Sequence, residues 1–197
     1  THEDLKYLFS TVDIDGGATI NVTAVDAVDV MGNKITSATV TTGVASGDDV
    51  NIGAISGTAA DTPLLESATV TGGYDVVVTD YTSSASAETL TEVTLSKTGN
   101  TATLDGDALT TINLGTYTAS ATVTLDNDAT DGYALTLTAA DTGIDANGDD
   151  AFVSVVADAA TSIAVTSNGT DNAVKLGDNS AANVKTKSLT VDGAGNM

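Results

Sequence analysis

The stretch 116-TYTASATVTLDNDATDGYALTLTA-139 is where the fold of this chain is decided. In it Ala121, Val123 and Leu125 alternate with Thr122, Thr124 and Asp126, and Tyr133, Leu135 and Leu137 then alternate with Ala134, Thr136 and Thr138. A period of two places every second side chain on the same side of an extended backbone, so each run reads as a strand with one dry and one wet face. Between them, 126-DNDATDG-132 supplies Asp, Asn and Gly, which tolerate positive φ and form Asx turns. Two alternating runs joined by such a break predict a hairpin, with Gly132-Tyr133 at the entry to the return strand.

The same texture extends in both directions. Alternating runs occupy 18–25 (ATINVTAV), 35–42 (ITSATVTT), 74–81 (YDVVVTDY), 89–96 (TLTEVTLS), 151–157 (AFVSVVA) and 187–191 (KSLTV). A further strand is expected around 67–71, after a loop at the lone Pro63. Gly, Asn and Asp clusters at 15–17, 46–49, 98–100, 105–107, 146–150 and 167–172 separate the runs. The chain is read without an exact internal repeat. Short strands at this spacing predict an all-β protein, a β-sandwich or jelly roll, over residues 13–197, with a short N-terminal extension over 1–12. Two Ig-like domains meeting near 98–116 are the alternative.

Composition narrows the classes of function. The chain has 197 residues, 41% of them hydrophobic, with no Trp and only 4% aromatic residues, so the core is expected to be thin and lined by Val and Ala. Six Lys and no Arg stand against 27 acidic residues, a net charge of −21. Neutralising phosphates requires a basic face, which excludes nucleic acid as a partner, and the same deficit argues against anionic membranes. No apolar run reaches the roughly 18 residues of a membrane span. Self-repulsion at this charge is relieved by a cation-rich medium. Cys is absent, so neither disulfides nor thiolate metal sites are available. A chain opening on Thr1 reads as a mature secreted form, placed outside the cell or on its surface.

The N-terminal segment 1-THEDLKYLFS-10 differs from the rest. It concentrates bulk that is scarce elsewhere, including Tyr7 and one of the two Phe residues, Phe9. It reads either as a turn or two of helix with Leu5, Leu8 and Phe9 on one side, or as a strand with Leu5, Tyr7 and Phe9 on one face. Such a segment packs on its own domain or completes the sheet of a neighbouring copy. In the second case Leu5, Tyr7, Leu8 and Phe9 are the anchors, and addition of a strand satisfies edge N–H and C=O groups while alternate side chains fill pockets.

Chemistry-bearing constellations are few. The single His2 lies in this segment, no Cys or Arg is present, and carboxylates are too abundant for any pair to stand out, so the chain is read as a non-enzyme. Calcium is the one cofactor the pattern suggests. Asp145, Asn147, Asp149 and Asp150 offer hard oxygen ligands at close spacing, as do Asp126, Asp128 and Asp131. The first group is no EF-hand, because Val156 stands where that loop needs its bidentate Glu. The plain alternative is that these residues only make turns. Asn21-Val-Thr and Asn168-Gly-Thr are glycosylation sequons.

The block 116–139, with its alternating strand, Asn/Asp turn, Gly-Tyr and second alternating strand, resembles a pattern of bacterial and archaeal cell-surface β domains. In composition and architecture, the whole chain resembles secreted all-β subunits of extracellular filaments that assemble by donor-strand exchange, of the biofilm-matrix fibre, archaeal bundling-pilus or cannula type. That resemblance implies a structural subunit whose partners are identical copies, joined head to tail into a helical polymer by strand complementation and stabilised by calcium. A calcium-dependent cell-surface adhesin or surface-layer module, with glycans or neighbouring cells as partners, is the second reading.

Overall fold

A computed structural model describes residues 3–5, 12–13, 18–31, 35–53, 64–80, 88–117, 119–127, 132–142, 152–177 and 186–194. The strands, in chain order, are β1 (Glu3–Leu5), β2 (Val12–Asp13), β3 (Ala18–Thr23), β4 (Val28–Met31), β5 (Ile35–Thr41) and β6 (Val50–Gly53). There follow β7 (Ser67–Thr71), β8 (Asp75–Thr79), β9 (Glu92–Ser96), β10 (Thr101–Asp105), β11 (Thr111–Leu114) and β12 (Ala121–Asp126). The last five are β13 (Tyr133–Ala140), β14 (Val153–Val156), β15 (Ala160–Asn168), β16 (Val174–Gly177) and β17 (Ser188–Gly193). Every alternating run picked out in the sequence lies on one of these strands.

The topology corrects the expected fold. The odd-numbered strands form one nine-stranded sheet in the order β1-β3-β5-β7-β9-β11-β13-β15-β17, and the even-numbered strands form an eight-stranded sheet in the order β16 to β2. Neighbouring strands are parallel throughout, from β1 beside β3 to β15 beside β17. The chain therefore winds as a coil, crossing from one sheet to the other at each half-turn and climbing by one strand per turn. It is a two-sheet parallel β-solenoid, not an antiparallel sandwich or jelly roll. Both sheets run without a break through 98–116.

The hairpin expected at 116–139 is corrected for the same reason. β12 pairs with β10 and β14, whereas β13 pairs with β11 and β15, so the two runs lie in opposite sheets. Alternation is indifferent to this choice. A strand with one buried face satisfies it beside an antiparallel partner or beside a parallel one a full turn away.

Parallel register stacks each side chain on its counterpart in the next coil. The pentapeptide SATVT occurs at 37–41 and again at 67–71, and the two copies lie side by side residue for residue. The Ser67 hydroxyl donates to Oγ of Ser37 at 3.1 Å. A third copy at 120–124 lies in the other sheet, so the chain does carry a short exact repeat. Coil length varies around it: Ile20 lies beside Ala38, 18 residues on, while Val123 lies beside Val155, 32 residues on.

The core fills the space between the two sheets. One sheet contributes inward ranks such as Val22, Val40, Val70, Leu95 and Leu114, and the other contributes Val30, Ile52, Val78, Leu104 and Leu125, all buried. As the composition suggested, it is a thin core of Val, Ala and Leu. Turns continue the ladders around the corners: the N–H groups of Thr42, Gly72 and Lys97 donate to the carbonyls of Thr71, Ser96 and Thr116 in the next coil. Gly72 sits there at φ +94°, and a Cβ would strike the carbonyl oxygens of Thr42 and Gly43, so this tight corner requires glycine.

Candidate functional site

The parallel coil leaves three surfaces on which a partner can act: the outer face of each sheet and the open end of the coil. At the β17 end, apolar side chains are exposed. Leu189 and Val191 continue the inward ranks of Ile163 and Val165, which are 6% and 2% exposed, yet they are themselves 55% and 52% exposed. β17 pairs with β15 on one side only, which leaves its far edge of backbone N–H and C=O groups without a strand among the described residues. Beside it lies a cavity of about 160 Å³ lined by Val155, Ala157, Ile163, Leu176, Gly177 and Leu189, with Asp158 and Thr186 as its polar members. A smaller feature on the even sheet sets the exposed Phe152 ring 6.0 Å from the Lys175 ammonium.

Buried polar side chains tie the corners rather than form a reaction centre. Asp80, 1% exposed, accepts hydrogen bonds at Oδ2 from the N–H groups of Thr89 and Leu90, both at 2.6 Å. In the next coil but one, Asn127 Nδ2 donates back to the carbonyls of Asp107 and Leu109, at 3.1 and 3.4 Å. Asn172 plays the same part near the end of the coil, accepting from the N–H and hydroxyl of Thr142 across 30 residues. Each binds a loop to its neighbour through a group that would otherwise be buried unpaired.

Among the described residues, burial perturbs three titratable groups. Burial raises the Glu88 carboxyl above its ordinary 4.5; the N–H of Asp107, donating to Oε2, opposes the rise, and the nearby Asp107, Asp80 and Asp105 add to it. Burial and then Asp158 push the Tyr133 hydroxyl up to about 12. Burial likewise raises Tyr117, against the Thr98 hydroxyl beside it. Burial is the largest cause in all three.

The residues singled out in the sequence are scattered. Leu5 lies in β1, paired in Cα register with Val22 of its own chain, while Tyr7, Leu8 and Phe9 lie outside the described residues. Asp145, Asn147, Asp149 and Asp150 also lie outside them, as do Asp128 and Asp131. Asp126 is described, exposed at the end of β12 and in register with Asp105. Among the described residues no group of three or more Asp, Glu or His side chains is placed to hold a metal ion. Asn21 is half-buried within β3, in register with Asp4 and Thr39, and Asn168 is exposed at the end of β15. Leu189 and Val191, which the alternation of KSLTV placed on a buried face, are the site residues sequence reasoning missed. Alternation marks their buried-face pattern but does not show that they lie on the last described strand of the nine-stranded sheet. Comparison with family models, curated proteins and solved structures finds no match.

Proposed function

We propose that this chain is a structural subunit of an extracellular assembly, a filament or surface layer, in which copies join head to tail through the ends of their coils. The observation that carries this reading is the exposure of Leu189 and Val191 on β17, beside whose far edge no further strand lies among the described residues. A parallel coil is directional. Its β1 end presents a strand running the same way as β17, so β1 of one copy fits beside β17 of the next with every strand still parallel. In that arrangement β1, which pairs with β3 of its own chain, lies beside β17 of a second molecule. The contact is heterologous and does not close on itself, so it propagates. Strand complementation thus takes place between sheet edges, and no groove in a sandwich is required. A cation-rich exterior, calcium included, would screen the repulsion between copies that each carry −21.

The test is sedimentation and negative-stain microscopy of the 197-residue chain over rising concentration, with and without calcium, beside a Leu189→Asp, Val191→Asp variant. Both positions are already exposed, so the variant should keep its far-UV spectrum and remain monomeric where the parent forms rods or sheets. A parent that stays monomeric throughout, or a variant that assembles equally well, overturns the reading.

A further inference from the structure

The outer face of the nine-stranded sheet is a different surface from the coil ends. From β3 to β17 its outward positions line up in ranks from coil to coil, and seventeen of the twenty-five are Thr or Ser; the exceptions are Asn21, Glu92, Asn113, Ala134, Ala140, Ala164, Asn168 and Asp192. The middle rank runs Thr39, Thr69, Thr94, Asn113, Thr138 and Thr166, one residue per coil. On a chain with 27 acidic residues, only Glu92 and Asp192 carry charge in this array. No register shift interrupts it from β5 to Thr136 of β13.

We propose that this face binds ice. Three properties of the array point to an ordered water lattice. Its period is fixed: parallel strands stand about 4.8 Å apart, and alternate residues along a strand about 6.7 Å apart. Both lengths fall near repeats of the oxygen net on the prism faces of hexagonal ice. Its side chains are ordered before they meet water, because Thr is stiff at χ1 and each is flanked by its counterpart in the coils above and below, so little conformational entropy is lost on contact. Short hydroxyl contacts along the ranks, such as Ser96 Oγ to Thr71 Oγ1 at 3.1 Å, help hold that order. Lastly, each Thr offers both a methyl and a hydroxyl, so an ice-like layer can rest on the methyls and be pinned by the hydroxyls. Ionic side chains, which bind water in a competing arrangement, are nearly absent. Eight strands extend the array over roughly 34 Å, enough to engage many lattice sites at once.

Slow freezing of a dilute solution of the 197-residue chain, with thermal hysteresis measured alongside, tests the proposal. The parent is expected to enter growing ice at least tenfold more than an inert globular protein and to shape single ice crystals. A Thr69→Lys, Thr94→Lys variant at the centre of the array should lose at least tenfold of that enrichment, while Thr103→Lys, Thr124→Lys on the opposite face should change it less than twofold. Should the first variant lack a cooperative melting transition, Thr69→Ser with Thr94→Ser removes only two methyl groups and should lower hysteresis at least threefold. Rejection of the parent from ice, equal losses from both faces, unchanged hysteresis in the serine variant, or retention on crystalline chitin or cellulose without any on ice would each overturn the proposal.

Discussion

The two sheets are alike inside and unlike outside. Inward, both present stacked Val, Leu and Ile that water does not reach, such as Leu95 and Ile112 in one and Val78 and Leu104 in the other. Outward, the nine-stranded sheet carries its ordered Thr ranks. The eight-stranded sheet instead mixes Asp29, Asn51, Val77 and Thr103 along a single rank and Asp75, Thr101, Thr122, Ser154 and Lys175 along another. There the side chains settle their charges locally: Asn51 Nδ2 donates to Asp29 Oδ1 at 2.6 Å, and the Thr101 hydroxyl donates to Asp75 Oδ1 at 2.5 Å. A parallel coil tolerates either exterior, since both leave the core and the ladders intact. The Thr array is therefore not something the fold demands, and this difference is what supports the proposal made for that face.

The largest effect should come from the inner faces, where the comparison predicts no difference. Leu95→Ala and Leu104→Ala remove side chains buried to the same degree in opposite sheets. Each is expected to cost about 2–5 kcal/mol in urea unfolding, and a large disparity between them would break the picture of two equivalent walls around one core.

A smaller effect separates the outer faces. Thr69→Ala interrupts a stack of Thr neighbours on both sides, whereas Thr103→Ala, next to Val77, interrupts a mixed one. Cross-strand pairs contribute about 0.2–1 kcal/mol, so Thr69→Ala should be the more destabilising by a few tenths in the same assay. The reverse order would show that the regular ranks contribute nothing to stability.

The smallest effect lies at the corner leading out of the eight-stranded sheet. Because the Glu88 carboxyl is raised in the folded chain, the protonated form is favoured by folding; its stability is fully present below pH 4.5 and lost as pH rises through the folded value. Glu88→Gln should consequently melt slightly higher than the parent at pH 7, and the gain should vanish below about pH 4.5. Solvent screening keeps the shift small, and added salt should shrink it further.

Much of the fold was legible in advance. Alternation at 18–25, 35–42, 74–81 and 133–139 located strands to within a few residues, and the dearth of bulky residues announced a thin core. The pairing of those strands was not legible, although Ser37–Thr41 and Ser67–Thr71 spell the same five residues and lie side by side. Coils from 17 to 32 residues long spread such matches out of step, so no constant period survived to betray the coil. Of the candidate sites, single residues such as Leu5 and Asp126 could be named, but the Thr array could not. Its members, from Thr39 to Thr166, come from coils far apart in the chain, and each strand taken alone shows only an ordinary wet face.

The sequence by itself determined that the chain is built of strands, which side of each strand turns inward, and that it carries a net charge of −21, because these follow from local alternation and composition. Only the tertiary structure decided that strands lie beside those of the next coil rather than beside their chain neighbours. The physical reason is that burying an alternating face is equally satisfied by either arrangement. The choice rests on long-range ladders and like-on-like stacking, which exist only once the coil has closed.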